Sequence, residues 1–427
     1  DHTAAGYLHL DEGRTLKRAG IMILSWHSCL GHGFQTQARA ARGAKRKRGE
    51  DEAAAGRFLV NYSGSTLTNR FLLAVIPKRY YSDCPQLLDD VLDRIGRDFG
   101  ALARTGVKDA SGQVHRLCIL GCKGDWPALV RCGHLTRTFN HGPKRGNSSQ
   151  NDKGICHLCH AGVAGTPFEQ VGCLHPAWKR TVDVSVAWQR TPELLQHMLH
   201  IDGAPSQFFH IDLWHTVHMG LGKNFASSAI VLALPLFHDG RRASVVTLLE
   251  RVSSHYLSWA KRMRHPPYLT KITKETLTWK KASDEPAGAW NKGHLTSLLC
   301  RWIEELCVEK ESCIEEGSLL HLTGKAARFL NKFLSMLYKS EVFIERRRGL
   351  TIGYQGMMFL NLYSQLARMA FDQRKALFPL APKIHSLDHI VHKMVDQCSQ
   401  HGFAYNPLIL GNQLEEDFIG RPSRLSR

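Results

Sequence analysis

Two features of this sequence could carry chemistry, namely carboxylates that follow buried strands and one closely spaced pair of cysteines. Asp125 comes just after a dense apolar run, residues 114–120, and the glycines that break it. An acid in that position lies where open α/β sheets place their ligand chemistry. Asp11 ends a second strand-like run, residues 6–11. Carboxylates from neighbouring strands repel each other unless a cation lies between them, and Mg²⁺ needs only a few carboxylates besides water and phosphate oxygens.

Both acids also have a purely structural interpretation. Pro127 suits the first turn of a helix, so Asp125 or Trp126 could serve as its cap. Asp11 precedes Gly13 and could be a turn or cap residue. The composition and the rest of the chain therefore have to decide between the two interpretations.

The cysteine pair is Cys156 and Cys159, whose CxxC spacing on a tight turn suits two thiolates on Zn²⁺. A redox role is disfavoured because no thioredoxin-like βαβ pattern surrounds the pair. One CxxC supplies only half of a zinc site. The other half has four candidates: Cys173, His175, His215 and His218. The last two lie three residues apart on a predicted helix that Asp212 caps, although they could equally form a polar helix face.

The composition favours a globular protein that binds a polyanion. The chain has 427 residues, is 43% hydrophobic and 22% charged, and carries a formal charge of +18. A surplus of this size points first to nucleic acid, with unspecific stickiness as the alternative. Twelve cysteines with one tight pair suit a reducing compartment and a metal site. No apolar run reaches about 18–20 residues, so we expect no membrane span, and residues 226–237 are predicted to be a core helix.

Residues 37–56 are low in apolar side chains and are predicted to form a mobile loop. They contain a basic run, which consists of Lys45, Arg46, Lys47 and Arg48. The run could be a nuclear localisation signal or an arm that contacts phosphates. Either role agrees with a nuclear protein that binds DNA.

The order of predicted elements suits an α/β fold with a ribonuclease-H-like mixed sheet. Strand-like runs precede a helix with a regular apolar face, and the strand before Asp125 follows. The runs are residues 6–11, 19–27, 57–62 and 70–76, and the helix is residues 85–105. In such a core the first and fourth strands lie side by side, so Asp11 and Asp125 could share metal ions.

The second half of the chain has helix-period apolar faces and is predicted to be a helical insertion. The predicted helices are residues 241–263, 293–312, 318–340, 354–378 and 384–400, and residues 403–405 form a last strand. We therefore divide the chain into four parts. They are a first core part at 1–150, a zinc-binding segment at 151–225, a helical insertion at 226–400, and a final strand and helix of the core at 401–427.

Three segments of this chain resemble transposases of cut-and-paste DNA transposons, with the CACTA, Plavaka and KDZ groups most similar. The first runs from TNRFLLAVIPKRYY through a helix to RLCILGCKGDWPAL and the CxxC, which is similar to the family's approach to its second catalytic acid. The second is IDLWHTVHMGLGKNF, in which Asp212, His215, Gly220 and Lys223 match the family's positions. The third, PKIHSLDHIVHK, is a weaker match.

The resemblance implies three catalytic acids that bind Mg²⁺ or Mn²⁺, and a zinc-stabilised helical insertion between the second and third acids. Asp125 matches the second acid, Asp11 fits the first by strand order, and Glu416 is the candidate for the third. Glu415, Glu304 and Glu305 are the alternatives for the third. Cys156, Cys159 and His215 carry over as zinc ligands, and our own inference adds His218 as the fourth.

The function that these features predict is DNA strand cleavage and transfer. Water would attack a phosphodiester at a transposon end, and the released 3′-hydroxyl would attack target DNA. The expected partners are DNA and further copies of the chain in a homo-oligomer. Two alternatives stay open: an inactive, zinc-stabilised nucleic-acid-binding descendant of such an enzyme, and a helical scaffold with a zinc site that binds proteins. The scaffold predicts no affinity for DNA at moderate salt.

Overall fold

The computed structural model describes residues 2–15, 17, 19–33, 58–142, 153–240 and 242–425. The chain is 52% helical and 14% strand and contains a curled mixed sheet, so the α/β class that the sequence predicts is correct at that level. The four basic residues of the predicted arm, Lys45 to Arg48, lie outside the described residues.

One mixed sheet of five strands forms the first part of the protein, and two short two-stranded sheets lie elsewhere in the described ranges. The strands are β1 (His2–Arg14), β2 (Gly20–Ser28), β3 (Leu30–Gly31), β4 (Leu59–Val60), β5 (Phe71–Pro77), β6 (Val107–Lys108), β7 (Val114–Gly124), β8 (Phe343–Glu345) and β9 (Phe403–Tyr405). The large sheet has the order β5-β2-β1-β7-β6. β1, β2 and β5 are antiparallel neighbours, β7 runs parallel to β1, and β6 is antiparallel to β7.

The helices follow the apolar periodicities of the sequence. They are α1 (Thr66–Asn69), α2 (Lys78–Asp83), α3 (Pro85–Arg104), α4 (Trp126–Cys132), α5 (Glu193–His197), α6 (Gly222–Ala233), α7 (Val245–Arg262), α8 (Gly293–Glu309), α9 (Leu319–Tyr338), α10 (Arg346–Asp372), α11 (Lys383–His401) and α12 (Gln413–Leu425). A π-helical segment, Trp214–Leu221, leads directly into α6. The long helices predicted for the second half are therefore present, with ends shifted by a few residues.

The two faces of β1 differ in chemistry because successive side chains point to opposite sides of a strand. Leu8 and Leu10 join the apolar core beneath α3. His9 and Asp11 point to the other face and are also buried. The final helix α12 covers this polar face, and its close approach requires Gly13, where a Cβ would meet Ser423 and Ile419. The fold thus buries a polar layer between the sheet and α12.

The short strands depart from the sequence prediction. Residues 57–62 were expected to belong to the core sheet, but in the described part only Leu59–Val60 is a strand, and it pairs with Leu30–Gly31. The predicted last strand, Phe403–Tyr405, is present but pairs with Phe343–Glu345. Apolar alternation specifies that a segment is extended but not which strand it will join, so both partners were missed.

The helical region is built around one large apolar core to which α6 to α11 contribute. The segment Trp214–Phe237 has the length and composition of a membrane-crossing helix, with a mean hydropathy of 1.3. However, 61% of its most apolar window is buried inside the protein, as in the core helix of a folded domain. The predicted core helix at 226–237 is the second half of this segment.

Candidate functional site

The register of the sheet places Asp11 and Asp125 next to each other. β1 and β7 are parallel, and Leu10 pairs with Gly124. Asp11 is the next residue of β1, which continues to Arg14 and does not end at Asp11 as the sequence predicted, while Asp125 directly follows the last residue of β7. The two acids therefore lie side by side. The pairing of two strands more than a hundred residues apart therefore brings the two predicted acids together.

Asp125 has the capping role that the sequence allowed. It is the N-cap of α4, and its Oδ1 accepts a hydrogen bond of 2.8 Å from the backbone N–H of Ala128. Burial raises the pKa of Asp125, and the nearby carboxylates of Glu12 and Glu416 add to this effect. The hydrogen bond uses only one carboxylate oxygen of Asp125, so the other oxygen could contact a cation.

The third predicted acid, Glu416, reaches the same place from α12. Burial, then Asp125, then Glu416 raise the pKa of Asp11 well above its usual range. The side chain of Glu416 is 41% exposed, so this side of the cluster is open to solvent. Asp11 is buried, and its Oδ2 has no hydrogen-bond partner within the described part of the chain. An unpartnered carboxylate among other carboxylates fits a cation as its missing partner.

The neighbouring acid Glu12 does not belong to this cluster. It lies on the opposite face of β1, where its carboxylate accepts hydrogen bonds of 2.7 Å from Lys78 and 3.0 Å from Tyr81. These bonds neutralise Glu12 locally, whereas Asp11 Oδ2 lies 3.9 Å from His9 Nε2, a group whose pKa burial lowers to about 4. The donor atoms of Asp11, Asp125 and Glu416 are not gathered within 4.8 Å of one another, unlike those of the two clusters described below. Two ions about 3.5–4 Å apart would allow this wider spacing, while one ion would not.

His215 lies among the acids, and this corrects its assignment as a ligand of the cysteine pair. Its Nδ1 is 2.5 Å from Asp212 Oδ2, and its Nε2 is 3.2 Å from Glu416 Oε1. Burial opposes its charge, but Asp212 and Glu416 outweigh burial and raise the pKa of His215 to about 11. His215 is therefore an imidazolium at neutral pH and contacts the outermost acid of the cluster.

Asp212 connects the elements that carry His215 and Glu416. Phe209 forms an isolated parallel bridge with Cys122 in β7, so Asp212 reaches the same edge of the sheet as Asp125. Its Oδ1 accepts backbone N–H bonds from Trp214 at 2.7 Å and from Asn412 at 3.1 Å. One carboxylate thus fixes the start of the π-helical segment and the approach to α12.

Glu415 anchors α12 from within the buried polar layer. Its carboxylate is fully buried and is surrounded by three cationic or ionisable groups. Its Oε1 lies 3.1 Å from Arg70 Nη2, 3.2 Å from Lys123 Nζ and 3.2 Å from His27 Nε2. Burial opposes ionisation, but Lys123, His27 and Arg70 outweigh it and hold the pKa of Glu415 far below its usual range. The network fixes Glu415, and the helix then directs the next residue, Glu416, toward the acids.

A second cluster joins the cysteine pair to α11. Cys156, Cys159, His385 and His389 are all buried, and their donor atoms all lie within 4.8 Å of one another. Cys159 Sγ is 3.3 Å from Nε2 of His385 and 3.3 Å from Nε2 of His389. The two histidines are four residues apart, which places them on one face of a helix. Two thiols and two imidazoles form a donor set that could hold a metal ion.

The loop that carries the cysteines is shaped around their sulfur atoms. The N–H groups of Leu158 and Ala161 point to the sulfurs of Cys156 and Cys159, each at 3.4 Å. Arg137 donates hydrogen bonds to the carbonyl oxygens of Cys156 and His157, at 3.0 and 3.1 Å. These contacts hold both sulfurs in position for a shared ligand, so the residues fit a metal ion.

The remaining candidates from the sequence lie elsewhere. His218, expected as the fourth zinc ligand, contacts Ser297 Oγ at 3.1 Å and Tyr338 Oη at 3.2 Å, so that assignment is replaced by His385 and His389. Glu304 and Glu305 accept hydrogen bonds from Asn331 and Trp259 inside the helical region. Cys173 and His175 are not part of the cysteine cluster. The HxxxH spacing of His385 and His389 is the sequence signal that could have pointed to these two residues.

A third group of donor atoms already has its own cation. Asp89, His134 and Glu193 could hold a metal ion by distance alone. However, Arg190 Nη2 bonds to Asp89 and lies 2.8 Å from His134 Nε2 and 3.1 Å from Glu193 Oε1. The guanidinium thus lies between the three ligands and pins the segment before α5 to α3. We interpret this group as a structural ion-pair cluster.

With this geometry established, comparison with known proteins adds no relative. The chain matches no protein-family model and no curated protein.

Proposed function

We propose that this protein is a DNA transposase, or a nuclease derived from one, that cleaves and transfers DNA strands with divalent metal ions held by Asp11, Asp125 and Glu416. The observation that carries the proposal is the parallel pairing of β1 and β7, which brings Asp11 within β1 beside Asp125 at the end of β7, with Glu416 interacting from α12. The order β5-β2-β1-β7, with three antiparallel strands and a parallel fourth, supports a ribonuclease-H-like core. The net charge of +18 supports DNA as the partner and the nucleus as the location.

In this proposal the three carboxylates bind Mg²⁺ or Mn²⁺, and Asp11 gains the partner that its buried oxygen lacks. When bound, such ions supply activation of water and stabilisation of negative charge on the transferred phosphate. Asp212 keeps the imidazolium of His215 oriented beside Glu416. Glu415 and its three partners hold α12 against the sheet, which positions Glu416. The reaction is hydrolysis of a DNA phosphodiester, followed by attack of the released 3′-hydroxyl on target DNA.

We further propose Zn²⁺ as the ligand of Cys156, Cys159, His385 and His389. Structural zinc sites use such four-ligand sets of thiolates and imidazoles. The site joins a loop after α4 to a helix more than two hundred residues later. Its role would be to fix the helical region against the core, and self-association into a homo-oligomer remains part of the proposal.

The deciding experiment is metal-dependent nicking of supercoiled plasmid DNA by the wild type and by Asp125→Asn. Asparagine still caps a helix, so the variant loses the charge but keeps the cap of α4. We expect cleavage by the wild type with Mg²⁺ or Mn²⁺, and binding without cleavage by Asp125→Asn. Glu12→Gln is the matched control, since Glu12 faces away from the cluster. Equal cleavage by Asp125→Asn would refute the role of Asp125.

A second candidate function is that of an inactive nucleic-acid-binding descendant. The observation that favours it is the contact between His215 and Glu416, at 3.2 Å, which already provides a positive partner for the third acid. This alternative predicts binding of DNA by the wild type with no cleavage under either metal. The same plasmid assay therefore separates the two functions.

A further inference from the structure

A break in the π-helical segment brings a lysine from α11 toward the acid cluster. Gly220 has φ −128° and ψ −106°, which no helical residue adopts. The side chain of Lys383 fills the space beside it: a Cβ at position 220 would lie 2.3 Å from Lys383 Cδ and 3.1 Å from its Nζ. The carbonyl oxygen of His215 lies 2.7 Å from the same point. The ammonium of Lys383 therefore lies one helical turn from the histidine that contacts Glu416.

A second lysine accompanies it. Lys223 lies three residues after Gly220, with its Nζ 5.7 Å from the centre of the Trp290 ring. Lys223 and Lys383 are half-buried and repel each other electrostatically. Within the described ranges, neither ammonium has an ion pair or a hydrogen-bond acceptor at contact distance. Within the described residues, the fold thus holds two ammonium groups near Gly220 without a carboxylate at contact distance from either.

Helix geometry increases this positive potential. Lys383 is the first residue of α11, and the first turn contains no acid. The N-terminus of a helix carries a partial positive charge, so a lysine there is unfavourable for the helix itself. Burial lowers the pKa of Lys383, and the carboxylates of Asp212 and Asp125 partly offset this effect. By contrast, Glu415 does have partners at contact distance, three of them at 3.1–3.2 Å.

We propose that Lys223 and Lys383 form a seat for a backbone phosphate of DNA, beside the phosphate that is cleaved. An anion between the two ammonium groups would relieve their repulsion and the positive helix end together. Lysine binds phosphate as a compact charge, and such contacts fix the position of the strand without reading its sequence. The inference rests on the proposed function, because it assigns the strand that the three acids would cleave.

The first test uses Asp125→Asn as the background, since the proposed function predicts that this variant binds DNA without cutting it. The affinity for a random 30-base-pair duplex is measured by fluorescence anisotropy at several salt concentrations. We expect Lys223→Gln and Lys383→Gln each to reduce the slope of log affinity against log salt by about 1, and the double variant by about 2. Lys383→Arg keeps the charge and should have the same slope as the background protein. This result would show that the smaller slope of Lys383→Gln comes from the lost charge and not from misfolding. Lys271→Gln is the control, because Lys271 is exposed and pairs with Glu250 at 3.6 Å.

The phosphate seat would be overturned if the background protein binds DNA and both glutamine variants keep its affinity and slope. This outcome would leave the nuclease proposal intact. Absence of duplex binding by every protein would instead reject the proposed function. A second arm then tests the seat alone: inorganic pyrophosphate should protect Lys223 and Lys383 from acetylation, as read by mass spectrometry. Protection of Lys271 to the same degree, or of neither lysine of the pair, would overturn the seat.

Discussion

Glu415 and Glu416 are consecutive residues of the same helix, yet they lie in opposite electrostatic surroundings. Glu415 is fully buried against Arg70, Lys123 and His27, whereas the Glu416 side chain is 41% exposed and faces Asp11 and His215. Glu415 lies against positively charged side chains, whereas Glu416 adds a further carboxylate to a group of acids. Their substitution by glutamine should therefore have different consequences.

We predict that Glu415→Gln lowers the free energy of unfolding by about 3–5 kcal/mol, because it leaves the buried cations of Arg70 and Lys123 without their common anion. Glu416→Gln should change it by less than about 0.5 kcal/mol, since Glu416 is on the surface. Urea denaturation followed by circular dichroism measures both values. Equal effects of the two variants would show that the buried network does not hold α12.

We predict that Asp11→Asn stabilises the metal-free protein and abolishes stabilisation by divalent ions. Burial and two neighbouring carboxylates raise the pKa of Asp11, so its ionised form destabilises the fold at neutral pH. Saturating Mn²⁺ at 100 times its Kd should stabilise the wild type by about 2.7 kcal/mol, and Asp11→Asn much less. Thermal unfolding with and without Mn²⁺ measures this difference. A wild-type Mn²⁺ response in Asp11→Asn would exclude Asp11 as a ligand.

We predict that purified protein contains Zn²⁺, and that His385→Ala or His389→Ala loses it. The matched controls are His215→Ala and His218→Ala, which remove the histidines that the sequence suggested. Both should keep the metal, since His215 and His218 contact other groups. Elemental analysis of the purified variants gives the zinc content directly. Loss of zinc from His218→Ala with retention in His389→Ala would reverse our assignment.

We predict that stability falls as the pH is lowered from about 6.5 to 4. Burial lowers the pKa of His218 to about 4 and that of His210 to about 3. Below pH 6.5 the unfolded chain binds protons at these positions while the folded chain does not, so acid favours unfolding. For His218, a pKa lowered from 6.5 to about 4 corresponds to a loss of about 3 kcal/mol in the free energy of unfolding at low pH. Urea midpoints at several pH values should therefore decline less steeply in His218→Gln than in the wild type.

The parts that the sequence predicts well are those decided by local pattern. The periodic apolar faces predict α3 and the long helices of the second half, and their burial agrees with that pattern. Asp11 and Asp125 could be proposed as neighbours because strand order limits which strands lie side by side. Asp125 is also a helix cap, and this structural role does not compete with the metal-binding role that we propose for it.

The parts that failed depend on contacts between distant segments. Cys159 is paired with histidines more than two hundred residues away, and the nearer histidines His215 and His218 have the same residue type and a plausible spacing. The HxxxH spacing of His385 and His389 suits two ligands on one helix face, but it does not show that this pair lies beside Cys159. Similarly, the choice between Glu415 and Glu416 depends on where Arg70 and Lys123 lie in three dimensions, which the helical pattern of α12 does not contain.

The three acids are Asp11, Asp125 and Glu416, so the proposed site joins the first strand, β1, to the last described helix, α12. A chain whose synthesis stops, or that is cut, before α12 contains two of the acids and lacks both Glu416 and its anchor Glu415. Under the proposed function, such a fragment would retain the sheet without cleaving DNA. Under that proposal, cleavage thus requires α12 as well as the two strands that position Asp11 and Asp125.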